Sequence, residues 1–330
     1  VKPADRKSSF DDDNGFFARS NDKLRYPREM HTKKDHIIFH VHGGGFISQN
    51  SKHHEVYLKQ WAHELGMTII SVDYTLAPHA KYPTQIFECI AAYDWVLQNK
   101  NKFNWNGKKI LFAGDSAGSN ILFSMVLICL AENKRMPDAI FSHYGVFNVN
   151  WSPSPSRALS LMDPLLPLGV MYTCFDAYVD SVESMDEASL NTLERISTRL
   201  LKMERTERMD TKLKNLKMNR KESPFRYKHQ YSKSCIDIIK QKVFPNSHLL
   251  SPAFVSDQVI KRFPPTHFFV SNVDPLLDDS VYFAKRFKTN NTPVSLNVFQ
   301  GLPHGYLNLI NQSKDIKAAS NKCVEIMRQT

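Results

Sequence analysis

The chain reads as an α/β fold: a mostly parallel sheet with helices on both faces and a charged insertion that begins as a cap. Three observations predict it. From His36 onward, short β-rich runs alternate with helical ones, the pattern of strand–helix–strand crossovers. Glycine-rich turns stand at the ends of two of the β-rich runs, where open parallel sheets gather their functional groups. The alternation breaks only once, in a long polar stretch, and then resumes. With 330 residues, 42% apolar and 23% charged, the chain can bury an enzyme-sized core and is too rich in large apolar side chains to stay unfolded.

Residues 1–35 are polar and give no clear element, so they are expected to be a tail or the remnant of an upstream region. They lack the apolar core and small-residue cleavage site of a secretory signal. Residues 36–42 read as a strand, 52–65 as a helix and 67–74 as the next strand. Residues 83–98 are helical, with Pro83 in the first turn where its missing N–H does no harm. A buried strand at 108–113, an apolar helix at 116–132 and a strand at 139–146 follow. A Pro and Ser cluster at 152–156 ends the regularity, and the polar stretch runs to about Asn246. Strand 266–270, helix 277–288, strand 294–299 and a helix after His304 complete the set. The expected organisation is therefore a core whose first part, residues 36–180, includes the start of a cap. A basic insertion at 181–246 and a second core part at 247–330 follow.

The net charge of +10 is concentrated in one place. Residues 195–242 hold 15 Lys and Arg against 5 Asp and Glu, which leaves 28 of each sign elsewhere. A basic segment with Phe225, Tyr227 and Tyr231 interleaved could suggest nucleic acid, but no recognisable module accompanies it, and no nucleic-acid partner is expected. The five cysteines are scattered without a C-x-x-C pair, as in a cytosolic protein with reduced thiols. The longest apolar run, 121–131, is interrupted by Ser124 and is too short to span a bilayer.

Gly114-Asp115-Ser116-Ala117-Gly118 fits G-x-S-x-G between a β-rich run and an apolar helix. The turn is too tight to admit side chains beside the serine, whose strained backbone points its hydroxyl outward. By itself the pentapeptide could also be a strand-to-helix turn with a capping serine. His42-Gly43-Gly44-Gly45-Phe46 closes the first strand. Acyl transfer builds a tetrahedral oxyanion, and backbone N–H groups reach it only where side chains are absent. Gly43 and Gly44 are the expected donors, with Ala117 as a third. A serine hydroxyl also needs a base, and the base needs an acid. Asp274 and His304 lie after the strands at 266–270 and 294–299, in the order Ser, Asp, His that this architecture uses. Asp278 and Asp279 are rivals for the acid, set further along in the following helix. Together the motifs predict an α/β-hydrolase with Ser116, Asp274 and His304 as its triad and no cofactor. His36, His40 and His42 share a strand face, but no companion ligand cluster makes a metal site of them. His53, His54 and His63 are expected on a surface helix, solvated or capping.

With these motifs in place, the chain resembles the hormone-sensitive lipase family, and within it the animal enzymes more than the bacterial esterases. The resemblance rests on HGGGF from His42, VDYTLAP ending at Pro78, GDSAG from Gly114, SPSPSRALSLMDPLLPL from Ser152, DPLLDDS from Asp274 and PHGYL from Pro303. It implies the same triad and oxyanion residues, and a cytosolic enzyme working at lipid droplets on acylglycerols and cholesteryl esters. It also implies a phosphorylation-controlled insertion. Ser119 stands where many relatives have a further glycine, and their large amino-terminal domain has no counterpart here. Arg220-Lys221-Glu222-Ser223 fits the pattern read by basophilic kinases, which makes Ser223 a candidate phosphorylation site, with Arg6-Lys7-Ser8-Ser9 a weaker match. The rival readings are a soluble carboxylesterase or small-ester deacetylase, and an inactive ligand-binding receptor of the same fold, in which the histidine is replaced.

Overall fold

A computed structural model describes residues 33–149, 154–158, 163–179, 186–214 and 247–330, with side chains in the long helix described through Met203. The tail, Ser223 and most of the basic segment lie outside the described residues.

Six strands form one sheet: β1 (Lys34–Val41), β2 (Thr68–Val72), β3 (Trp105–Asp115), β4 (Ala139–His143), β5 (Thr266–Ser271) and β6 (Val294–Phe299). Their order is β2-β1-β3-β4-β5-β6 and every pairing is parallel. The fold is that of the α/β-hydrolases. Because both faces are covered, the central strands read as nearly continuous apolar runs. In β1, Ile37, Phe39 and Val41 point into one core, while Ile38 points into the other.

Helices α1 (Ser51–Leu65), α2 (Thr84–Gln98) and α3 (Ala117–Glu132) follow β1, β2 and β3 in turn. Asn50 caps α1, its side chain accepting from the His53 N–H, and Gly66 ends it in the left-handed conformation. That pairing of caps is what the sequence around residues 50–66 favours. Helix α3 is buried on nearly every side, so it has no polar face, and only the composition around it marks it as helix.

Strand β4 is shorter than the expected 139–146. At Tyr144 the backbone turns to positive φ, and the chain leaves the sheet. Beyond it come a single turn, α4 (Pro155–Ala158), then α5 (Leu168–Tyr178) and α6 (Glu187–Lys214). Helix α6 lies in the polar stretch, where the sequence pattern assigns no element. Its Ile196 and Leu200 are buried in the same core as α3, with Leu193 and Met203 packed against them. Those four residues repeat every three or four positions, a helical signal hidden among the charges around them. Helices α7 (Asp257–Ile260), α8 (Leu277–Thr289) and α9 (Lys314–Gln329) complete the fold. Helix α9 packs with Tyr57 and Trp61 of α1 on the second face. Among the described residues, no helix is long and apolar enough to cross a membrane.

The register of β1 on β3 sets Val41 beside Gly114. A side chain at Gly118, the first-turn residue of α3, would collide with the carbonyl oxygens of Val41 and His42. Gly118→Ala is therefore expected to destabilise the protein by about 1–3 kcal/mol or more, since rigid backbone cannot yield to the extra carbon. A thermal melt should fall by roughly 2–4 °C per kcal/mol in a domain of this size, and an unchanged midpoint would show that α3 can shift away.

Candidate active site

Ser116 stands between β3 and α3 with φ 49° and ψ −118°. Such a conformation costs a non-glycine residue about 1–3 kcal/mol, and the tight elbow demands it. The Ser116 N–H donates to the His143 carbonyl at 2.9 Å, which fixes the turn to β4. A Cβ at Gly114 would lie 2.7 Å from Leu122 and 2.9 Å from the Val41 carbonyl, so the residue before the elbow must also be small.

Three expected residues meet here. His304 Nε2 is 3.0 Å from Ser116 Oγ, and His304 Nδ1 is 2.9 Å from Asp274 Oδ2. A carboxylate only accepts, so the neutral ring carries its proton on Nδ1 and leaves Nε2 bare toward the serine hydroxyl. Asp274 is fully buried, and its Oδ1 accepts the Leu276 N–H at 2.7 Å. Burial by itself would push the His304 pKa down. The charge and hydrogen bond of Asp274 outweigh it, helped by Asp163 and Asp115, and the ring ends above its ordinary value.

The rival carboxylates are engaged elsewhere. Asp279 accepts the N–H groups of Phe147 and Asn148, both at 2.9 Å, and pairs with the buried Arg157. Asp278 accepts the Ser156 N–H at 2.7 Å. Both acids therefore fasten the chain around Ser156 to α8. Asp163 has no role predicted from the sequence. Its Oδ2 accepts the backbone N–H of His304 at 2.9 Å, while Oδ1 accepts from Leu165 and Leu166 at 2.8 and 2.7 Å. Its only sequence signal is an Asp-Pro turn within a motif already noted, because its partner lies 141 residues away.

The glycine loop differs from expectation at Gly43. Its N–H donates to Asp115 Oδ1 at 2.9 Å and so is not free for an oxyanion. Gly44 and Gly45 instead line the cavity together with Ser116 and Ala117. The N–H groups of Gly44, Gly45 and Ala117 have no hydrogen-bond partner among the described residues. A methyl group at Gly44, φ +112°, would meet the Ser48 carbonyl of the loop's own turn and not the cavity.

The histidines also need correcting. His54, expected on a surface helix as solvated or capping, is fully buried and bonded to Asp115. His40 contacts Ser71 Oγ at 2.8 Å and Tyr57 OH at 3.0 Å. His42 bonds its own loop at the Gly43 carbonyl, 2.7 Å, and stacks on Tyr74. Among the described residues, no group of His, Cys, Asp and Glu could hold a metal ion.

Above Ser116 opens a cavity of about 320 Å³. Gly44, Gly45, Ala117 and His304 line it beside Ser116, together with the apolar side chains of Phe46, Ile47, Val146, Leu166, Met171 and Phe175. The loop after α4 and helix α5 supply one side, and Leu165 and Val170 at the rim are exposed. Such an arrangement can strip a proton from a hydroxyl, attack a carbonyl and hold the resulting negative oxygen against backbone N–H groups.

Sheet order, strained serine turn and glycine loop define an α/β hydrolase equipped for serine chemistry. A family described by the α/β hydrolase fold matches residues 38–207 and 201–308, and the chain belongs to that family. It is 29% identical to hormone-sensitive lipase of Mus musculus, over 88% of this chain and 53% of that protein. With hormone-sensitive lipase of Homo sapiens it shares 28% identity, over 92% of this chain and 39% of that protein. The chain thus spans about half the length, or less, of these curated relatives. An acetyl esterase of Salmonella schwarzengrund is 35% identical over 36% of this chain and 37% of its own. Among solved structures, an esterase of Pyrobaculum calidifontis superposes with a TM-score of 0.67 at 20% identity, covering 90% of this chain and 77% of that one. A hormone-sensitive lipase from a metagenome library gives 0.61 at 22% identity, covering 88% and 76%.

The His304 environment sets a titration. Its imidazole is expected to titrate above the ordinary value of 6.5, and Asp274→Asn should lower the midpoint by removing the main opposing charge. A folded value above the unfolded one means that the contact stabilises the protein below the unfolded pKa, and that this stability is lost as pH rises through the folded pKa. NMR of the His304 ring checks this, and a native midpoint below 6.5 would mean that burial wins.

Proposed function

We propose that the chain hydrolyses carboxylic esters through an acyl-enzyme on Ser116. The observation that carries this reading is the continuous contact from Asp274 through His304 to Ser116 beneath an apolar cavity. His304 takes the hydroxyl proton as Ser116 attacks the ester carbonyl and then returns it to the departing alcohol. Water repeats the cycle on the acyl-enzyme. Asp274 holds the ring tautomer and stabilises the imidazolium. The oxyanion is received by the N–H groups of Gly44, Gly45 and Ala117, a set in which Gly45 takes the place expected for Gly43.

Ser116→Ala and His304→Ala are each expected to remove nearly all turnover, because the members act as a unit. Asp274→Asn should be severely impaired, and Asp278→Asn should keep most of its activity. Gly44→Ala should lose roughly a hundredfold or more, the effect of displacing one oxyanion donor. Steady-state kinetics on a soluble ester reads all five. Full activity in Asp274→Asn, or its loss in Asp278→Asn, would move the acid role.

The substrate class we propose is the neutral lipid ester: acylglycerols and cholesteryl esters presented at a lipid droplet by a cytosolic enzyme. The apolar walls, the exposed Leu165 and Val170 at the rim and the similarity to hormone-sensitive lipases support it. A soluble esterase for short acyl chains is the alternative, favoured by the similarity to an acetyl esterase. The basic insertion is proposed to regulate the enzyme, with a basophilic kinase acting at Ser223. Phosphate there would add about −1.5 to −2 charge among basic side chains. Because Ile196 and Leu200 of α6 belong to the core, a point substitution tests regulation more cleanly than removal of residues 181–246. A panel of p-nitrophenyl and acylglycerol esters, run with and without kinase treatment on native and Ser223→Ala protein, is the test. Turnover of long-chain emulsified esters is expected, with a kinase response only in the native chain. Activity confined to acetyl and butyryl esters would favour the alternative, and no turnover would favour a binding protein. An equal kinase response in both chains would exclude Ser223.

A further inference from the structure

We propose that His54, as a buried imidazolium, is a positioning residue for the oxyanion loop. It neutralises Asp115, so that this carboxylate can hold the Gly43 N–H beside the nucleophile without opposing the negative charge that forms on the substrate. The proposal rests on the hydrolase reading of Ser116.

Asp115 precedes the nucleophile and is buried between α1 and the glycine loop. Its Oδ1 accepts the Gly43 N–H at 2.9 Å and the Tyr57 hydroxyl at 3.3 Å. A carboxylate in this position is costly, because it places a negative charge a few residues from where the oxyanion develops, in surroundings that screen it poorly. It needs a cation close by, and the described residues provide one. His54 Nε2 lies 3.1 Å from Asp115 Oδ1 and 3.2 Å from Oδ2. On the far side of the ring, His54 Nδ1 lies 3.0 Å from the Asn50 carbonyl. Both ring nitrogens thus face groups that only accept. A neutral imidazole has one N–H and would set a bare nitrogen against an oxygen in a buried site. Only the imidazolium satisfies both contacts.

The neighbouring groups agree with this assignment. His40 and His42 face His54 with ring centroids 5.8 and 5.6 Å away, Tyr57 stands against its edge, and Asp73 lies beyond His42 at 3.9 Å. Burial pushes both His40 and His42 below the usual histidine range. At His54 burial acts in the same direction, but the charge and hydrogen bond of Asp115 and the Asn50 carbonyl reverse it, and its pKa rises. Of the three clustered imidazoles, one carries the charge. The loop is pinned in sequence: the His42 carbonyl accepts the Tyr74 hydroxyl at 3.0 Å, the Gly43 carbonyl faces His42 Nδ1 at 2.7 Å, and the Gly43 N–H goes to Asp115. The first N–H left for a substrate is that of Gly44.

Two measurements test the proposal. In ¹⁵N-histidine NMR of the native protein at neutral pH, His54 is expected to show both ring nitrogens protonated, and a neutral ring there overturns the proposal whether or not any variant folds. In kinetics, His54→Gln should lower kcat per active site, counted by labelling with diethyl p-nitrophenyl phosphate, on the order of 10- to 100-fold. KM should change little, and affinity for a trifluoromethyl ketone, which forms an oxyanion on the serine, should fall by the same factor. Adding Asp115→Asn to His54→Gln removes the unpaired charge, keeps an acceptor for Gly43 and should restore part of kcat. Unchanged kcat per labelled site and unchanged ketone affinity in His54→Gln would overturn this inference while leaving the hydrolase reading intact. A native chain that is neither labelled nor active would overturn both.

Discussion

The close approach of α3 to the end of β1 is the constraint on which the rest of the site depends. It is possible only because Gly114 and Gly118 present no side chains to the Val41 and His42 carbonyls. The elbow that results forces Ser116 into a positive-φ conformation and sets the Asp115 carboxylate against the Gly43 N–H. Nucleophile turn and glycine loop are therefore one structural unit, although they arise 72 residues apart. Because α3 is packed on nearly every side, the unit has little room to move, and such rigidity is what a group that must meet a carbonyl at bonding distance requires.

Charge follows the same plan. Asp274, Asp163 and Asp115 all favour a positive His304. Asp115, which accepts the Gly43 N–H, is in turn held well below the usual carboxylate range. Burial would raise it, and His54, His40 and the Gly43 N–H outweigh burial. Negative charge thus gathers around His304 and is compensated beside the glycine loop.

The chain around Ser156 and Asp163 is joined to the residues that follow β5 and not merely laid over them. Ser156 accepts the Asp278 N–H at 3.1 Å, its hydroxyl donates to the Pro275 carbonyl at 2.9 Å, and Arg157 reaches both Asp279 and the Asn148 carbonyl. Asp163 carries the connection to His304 itself. Alternation of apolar runs also explains why the sheet tolerates so long an interruption: β4 and β5 pair directly, with Ile140 beside Thr266.

What the sequence by itself determined was everything encoded within a few residues. Strand and helix order, the elbow at Ser116, the glycine loop and the positions of Asp274 and His304 at strand ends all follow from local pattern, because periodicity and turn chemistry act over short spans. Helix α6 was legible too, in Leu193, Ile196, Leu200 and Met203, but the charges between them masked it. Tertiary structure alone decided which N–H groups remain free in the glycine loop, that Asp278 and Asp279 serve the cap, that Asp163 grips the His304 backbone and that His54 is buried. Each of these depends on a partner between 61 and 141 residues distant. Hydrogen bonds of that kind leave no periodic trace along a chain, since what selects the residue is the single partner that folding brings to it.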